Sequence, residues 1–236
     1  MMQVFMSDMR KIQGTWIPWL LVIAPFAFCS VQVVNYLTRL EILQPLGWMG
    51  LMAWTNYFWP VTLILGVSIL ASMLSGMEHD AKAWKAILAL PLNKWTPYFS
   101  KFLLLFVSLA IFVSFTYMGL IIMGNLFGLG PTPWSLVAVQ MFYPFFASIA
   151  VMVLQLWLSL TIRNQAIPLT FGILGATLSL FLAYSPSLVL KLFPWAYVPL
   201  ASPLNEGNYT QWPLAGAILG SIFLIMGGLH FSKREL

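Results

Sequence analysis

Charge is what this chain lacks most: Asp, Glu, Lys and Arg together make up 7% of its 236 residues, where soluble domains hold about 25%. A soluble globular enzyme is excluded on that ground. The single cysteine, Cys29, cannot form an intrachain disulfide and lies in an apolar run, where it reads as a small buried hydrophobe. His79 and His230 have no second histidine at ligand spacing, and neither H-E-x-x-H nor G-x-S-x-G occurs. Metal- and serine-dependent intramembrane proteolysis is therefore poorly supported, and each histidine reads as a solvated residue at a membrane edge. The phosphate-cradling pattern G-x-x-x-x-G-K-[ST] is also missing, so ATP bound in that way would sit on another chain.

What is abundant is hydrocarbon. Hydrophobic residues make up 61% of the chain and the mean hydropathy is +0.89. A span needs about 20 apolar residues, and hydropathy marks six: Trp16 to Leu37, Met52 to Leu74, Phe102 to Gly124, Trp134 to Leu160, Pro168 to Tyr184 and Pro213 to Phe231. The expectation is an all-α integral membrane protein, residues 1–236 forming a single transmembrane domain. No signal-peptide pattern marks the first span, which is expected to remain as a helix. None of the six stretches contains Asp, Glu, Lys or Arg, which argues against an ion-coupled carrier. Pro18, Pro25, Pro60 and Pro144 should bend their spans.

Basic residues set the orientation. With the N-terminus inside, the inner loops hold Arg10, Lys11, Lys82, Lys85, Lys94, Lys101, Arg163, Lys233 and Arg234, and the outer ones only Arg39 and Lys191. This bias places both termini in the cytoplasm. Attraction to anionic lipid accounts for the net charge of +5 without nucleic acid.

Ahead of the first span, Phe5, Met9, Ile12 and Trp16 recur at helical spacing between polar residues. That stripe predicts an interfacial elbow helix over residues 1–15, with Arg10 and Lys11 toward phosphates. The plainer alternative is a positive flank that only sets topology.

Residues 75–101 carry four of the eleven basic and two of the six acidic residues. Ser75-Gly76-Met77-Glu78 fits a capping box, so the second span should break near Gly76 and a short helix should run to about Ala89. Ala81, Trp84, Ile87 and Leu88 share one of its faces; Glu78, Lys82 and Lys85 lie toward another. Pro91 should end it, and Thr96-Pro97 should start the third span. A loop floating its apolar face in the interface is the alternative, although an inert connector would need only about five residues.

The segment EHDAKAWKAILALPLNKWTPYFSKFLLL resembles the region after the second helix of ABC-2 type permeases, the membrane subunits of ATP-driven exporters, and above all the lantibiotic and bacteriocin immunity group. The matching positions are Glu78, Trp84, Lys85, Leu90, Pro91, Lys94 and Lys101. Asp8 to Lys11 with Trp19-Leu20-Leu21 is similar to that group's opening, with Asp8 where Glu is more usual. The resemblance implies an ATPase-coupling interface at Glu78, Lys82, Trp84, Lys85, Ile87, Leu88, Pro91, Lys94 and Lys101, with the elbow (Phe5, Met9, Arg10, Lys11, Ile12) beside it. It implies a re-entrant segment over residues 185–212, where four prolines break an apolar stretch. It further implies two cytoplasmic ATP-binding subunits carrying ATP and Mg, a second identical or homologous permease, and a place in the bacterial cell membrane.

The expected function is export of an amphipathic or hydrophobic cargo, such as a peptide antibiotic or a lipid-like drug, by a chain with no ATPase motif of its own. Asn35, Asn56, Gln140 and Gln155 could line a cargo path, or with Gln32 could simply hydrogen-bond between helices. A non-transporting scaffold or sensor, and a self-sufficient channel or carrier, are the alternatives from other classes.

Overall fold

The computed structural model describes residues 2–80, 95–205 and 207–233. Among them every regular element is helical, as the membrane interior demands of a chain that must pair its own backbone groups. Five helices are long and apolar enough to cross a bilayer, and a bent pair makes a sixth if counted as one span.

Helix α1 (Met2–Gln13) precedes the spans, and α2 (Ile17–Leu37) is the first of them. After the short α3 (Leu40–Leu43), α4 (Trp48–Asp80) and α5 (Trp95–Leu126) form a long pair. The bent pair is α6 (Trp134–Ala147) and α7 (Ile149–Thr161), followed by α8 (Ala166–Tyr184). Two short helices, α9 (Leu188–Lys191) and α10 (Pro194–Leu200), lead to the last span, α11 (Gln211–Ser232).

Two expectations need correction, and a third is met. First, α4 runs unbroken through Gly76 to Asp80. The Ser75 hydroxyl is buried and has no hydrogen-bond partner among the described residues, so the capping box is not used. Second, Trp95 is already helical, which puts Thr96 inside the helix rather than at its cap. The expected bend in the fourth span is present, 41° around Ser148. There the Ser148 hydroxyl donates to the Phe145 carbonyl at 2.7 Å, and its N–H approaches both Pro144 and Phe145. Pro144 lies one turn before that bend, as expected of a span proline; α2 and α4 continue through Pro25 and Pro60.

The core is an aromatic and aliphatic seam between helices. Trp59 of α4 is fully buried, with Phe28 of α2 at 5.5 Å and Phe112 of α5 at 5.7 Å between ring centroids. Helix α2 exposes Trp19, Val22, Ile23, Phe26, Val31 and Val34, the pattern of a peripheral helix facing lipid. Close packing of α11 against the bend depends on Gly216, where a Cβ would lie 2.7 Å from the Ala147 Cα.

Between α8 and α11 the chain turns into the bundle. Trp195, Ala196, Tyr197, Val198 and Pro199 of α10 are all buried. The Trp195 indole stacks edge-on against Phe171 at 5.1 Å and occupies the space a Cβ at Gly175 would need. Gly175 is the midpoint of α8, so α10 reaches about half the depth of that span.

Candidate functional site

Two polar clusters stand out, one at each end of the bundle. At the end that holds both termini, four charged side chains from three helices meet. Lys101 of α5 donates to Asp8 Oδ1 of α1 at 3.2 Å and to Glu78 Oε1 of α4 at 2.9 Å. Lys11 of α1 donates to the same Glu78 oxygen at 2.9 Å and lies 3.6 Å from Asp8 Oδ1. The Ser100 hydroxyl completes the shell of Asp8 at 2.8 Å.

Asp8, Glu78 and Lys101 are 4%, 2% and 2% exposed, which is rare for these residue types unless they are paired. Two carboxylates against two ammonium groups leave the cluster formally neutral, so burial is tolerated only while all four stay together. Helical spacing explains how α1 delivers its share. Phe5, Asp8 and Ile12 lie on one face, with Phe5 and Ile12 packed into the core, while Met9 is 38% exposed and Arg10 is also exposed. Along the expected stripe of Phe5, Met9, Ile12 and Trp16, Phe5 and Ile12 pack inward while Met9 and Trp16, the latter 77% exposed, face outward, and Asp8 lies between Phe5 and Ile12 on the inner face.

Lys11, expected to face phosphates, instead reaches across to Glu78. Its partial burial works to lower its pKa, but hydrogen bonding and attraction from Glu78, then Asp8, outweigh that and hold it above the ordinary 10.5. A raised ammonium pKa contributes stability fully below pH 10.5 and loses it as pH rises through the folded value. The wild type is therefore expected to lose melting temperature above pH 10.5 more steeply than Lys11→Met. Parallel profiles from pH 9 to 12 would remove Lys11 from the cluster's energetics.

Of the expected coupling residues, Glu78 and Lys101 are in this cluster, buried rather than on an exposed rim. Lys82, Trp84, Lys85, Ile87, Leu88, Pro91 and Lys94 lie outside the described residues. His79 is half-buried, with Nε2 3.2 Å from the Ser159 carbonyl, rather than freely solvated. Asp8 was absent from the expected site although it sits three residues after Phe5 and four before Ile12, on their face. That spacing was the signal available for it.

At the opposite end, Ser202 donates to Gln140 Oε1 at 2.9 Å, and Gln140 donates to Asn56 Oδ1 at 3.1 Å. The Tyr184 hydroxyl donates to Asn205 Oδ1 at 3.2 Å, and Asn56 Nδ2 stands 3.5 Å from the same oxygen. Asn56 and Asn205 border a cavity of about 720 Å³ with Tyr57, Tyr184 and Lys191. Of the expected path residues, Asn56 and Gln140 join here. Asn35 instead accepts from the Arg39 guanidinium, and Gln155 donates to the Pro168 carbonyl at 2.6 Å. Ser202, Asn205 and Tyr184 were missed because only the infolding of residues 185–205 brings them to Asn56.

Residues 8–179, nearly three quarters of the chain, match the family model described as ABC-2 family transporter protein. Comparison with curated proteins and with solved structures finds no match. Such proteins are membrane components of ABC transporters, generally not catalytic themselves and associated in general with ATP-binding subunits. The matched stretch begins at Asp8 and takes in Lys11, Glu78 and Lys101, so the buried cluster lies inside it together with four whole spans and most of the fifth. The chain is a multi-pass helical membrane protein that belongs to the ABC-2 family of transporter proteins.

Proposed function

We propose that this chain is the permease subunit of an ABC exporter in a bacterial cell membrane, with both termini in the cytoplasm. Two cytoplasmic ATP-binding subunits supply the energy and carry ATP and Mg. A second permease, identical or homologous, completes the path, and residues 185–212 form a re-entrant element on the outer side. The cargo is amphipathic or hydrophobic, of the peptide-antibiotic or lipid-like drug kind, and the biological role is immunity to such a compound.

The observation that carries this reading is the cluster of Asp8, Lys11, Glu78 and Lys101. It ties the elbow helix to the ends of the two helices that flank residues 81–94. A push delivered to that stretch, through Trp84, Ile87 and Leu88 with Lys82, Lys85 and Lys94 at the rim, would be passed to α1, α4 and α5 as one body. Breaking the cluster mid-stroke would strand buried charge, so the three helices move together.

Co-expression with candidate ATP-binding subunits tests it. The intact chain is expected to co-purify with an ATPase and raise its turnover, while Trp84→Ala with Leu88→Asp, still folded, loses at least ten-fold of the captured ATPase. Capture that survives the double substitution would sink the coupling assignment. Cargo flux without any ATPase would favour a self-sufficient channel instead.

A further inference from the structure

We infer that the cavity between α4, α8 and the infolded segment is a binding site for a phosphate-bearing amphiphile, whose anionic headgroup is held by Lys191 beside Asn56, Tyr57 and Tyr184. The inference does not rest on the coupling reading, because it concerns what this chain binds at its other end.

The direction of the local hydrogen bonds decides the ligand chemistry. Every amide oxygen of the network is already engaged: Gln140 Oε1 by Ser202, Asn56 Oδ1 by Gln140, and Asn205 Oδ1 by Tyr184. Donors are in surplus. Asn56 Nδ2 is divided between a long 3.5 Å approach to Asn205 and the Tyr184 hydroxyl, whereas the Tyr57 hydroxyl and the Lys191 ammonium have no hydrogen-bond or ion-pair partner among the described residues. No carboxylate lines the cavity among those residues. An uncommitted ammonium beside a free hydroxyl calls for a ligand rich in acceptors and negative charge, and disfavours a cation.

The remaining lining says what the headgroup is attached to. Met49, Ala53, Leu200 and Leu204 give the cavity an apolar side, and about 720 Å³ is within the range of small-molecule pockets, roughly 300–1,000 Å³. An inorganic anion would leave that side uncovered, whereas an acyl chain covers it. The position suits such a ligand, since α4 begins at Trp48 and α8 ends at Tyr184, which puts the cavity at the ends of two spans, the depth of lipid headgroups.

Native mass spectrometry of the purified full-length chain, without any ATPase, tests this. The probes are dioctanoyl phosphatidylglycerol and dioctanoyl phosphatidylcholine at equal concentration. The wild type is expected to retain the anionic lipid about fivefold better, the scale of one lysine near a headgroup. Lys191→Gln should abolish that preference, Lys191→Arg should restore it, and Lys233→Gln, at the other end of the bundle, should leave it intact. Millimolar inorganic phosphate should fail to displace the lipid; displacement would mean a free-phosphate site and overturn the amphiphile. Equal retention of both lipids by the wild type, or an undiminished preference in Lys191→Gln, would overturn the headgroup assignment. Neither result bears on ATPase capture, which is measured separately.

Discussion

Lys101→Met is expected to destabilise the folded chain by about 3–5 kcal/mol, the usual cost of removing one partner from a buried ion pair. The substitution leaves Asp8 and Glu78, which are 4% and 2% exposed, with only the Lys11 ammonium between them. Both carboxylates are nearly closed to water in the folded chain, so neither is resolvated for free. Unfolding in mixed detergent, followed by circular dichroism, reads the loss. Replacing the whole buried set, Asp8→Asn and Glu78→Gln with Lys101→Met, should recover most of it, because the one charge that remains, on Lys11, has its side chain 42% exposed and is not stranded. A loss under about 1 kcal/mol for the single substitution would mean that the cluster is solvated in practice. The rescued triple variant also separates stability from coupling: it should hold an ATPase yet stimulate it less, since the joint between the three helices is gone.

Gly216→Ala is expected to cost about 1–3 kcal/mol, the range for overpacking a close contact. What the new methyl group would meet is backbone: the Ala147 Cα would lie 2.7 Å from it, and a main chain held by its own helix cannot swing aside as a side chain can. Helix α11 would have to move off the bend in the fourth span. Gly14→Ala is the control, because its Cβ would meet only the Lys11 carbonyl at 3.7 Å. Equal melting temperatures for the two variants would show that the contact at the bend is loose.

Spans are legible in sequence because each needs only a run of apolar residues, and five of the six expected stretches coincide with single helices within a few residues at most of their ends. Hydropathy carries no information on direction, however, so for the run from Trp134 to Leu160 only Pro144 signalled a bend, and neither its size nor its centre at Ser148 could be read from it. The reading of Ser75 to Glu78 fails for a different reason. A capping box is a local preference worth about 1 kcal/mol, and here Glu78 is engaged by Lys11 and Lys101 from two other helices. Tertiary charge pairing overrides the local signal and the helix continues to Asp80. The site was legible in its parts: Glu78 and Lys101 were singled out in the coupling interface and Lys11 in the elbow beside it, but not as one buried cluster. Their meeting depends on α1 folding back beside α4 and α5, a relation between residues 8, 78 and 101 that no local pattern encodes.

The infolded helix α10 also bears on how the molecule is made. Its pocket is built from parts synthesised both before and after it: Trp195 seats against Phe171 and Gly175 of α8, while Tyr197 packs on Trp212 at the start of α11, 5.4 Å between ring centroids. The wall that Trp212 supplies is missing until α11 is in place. The packing around Tyr197, and with it the cavity bordered by Asn205 and Asn56, is therefore expected to reach its final form only after the last span has been inserted.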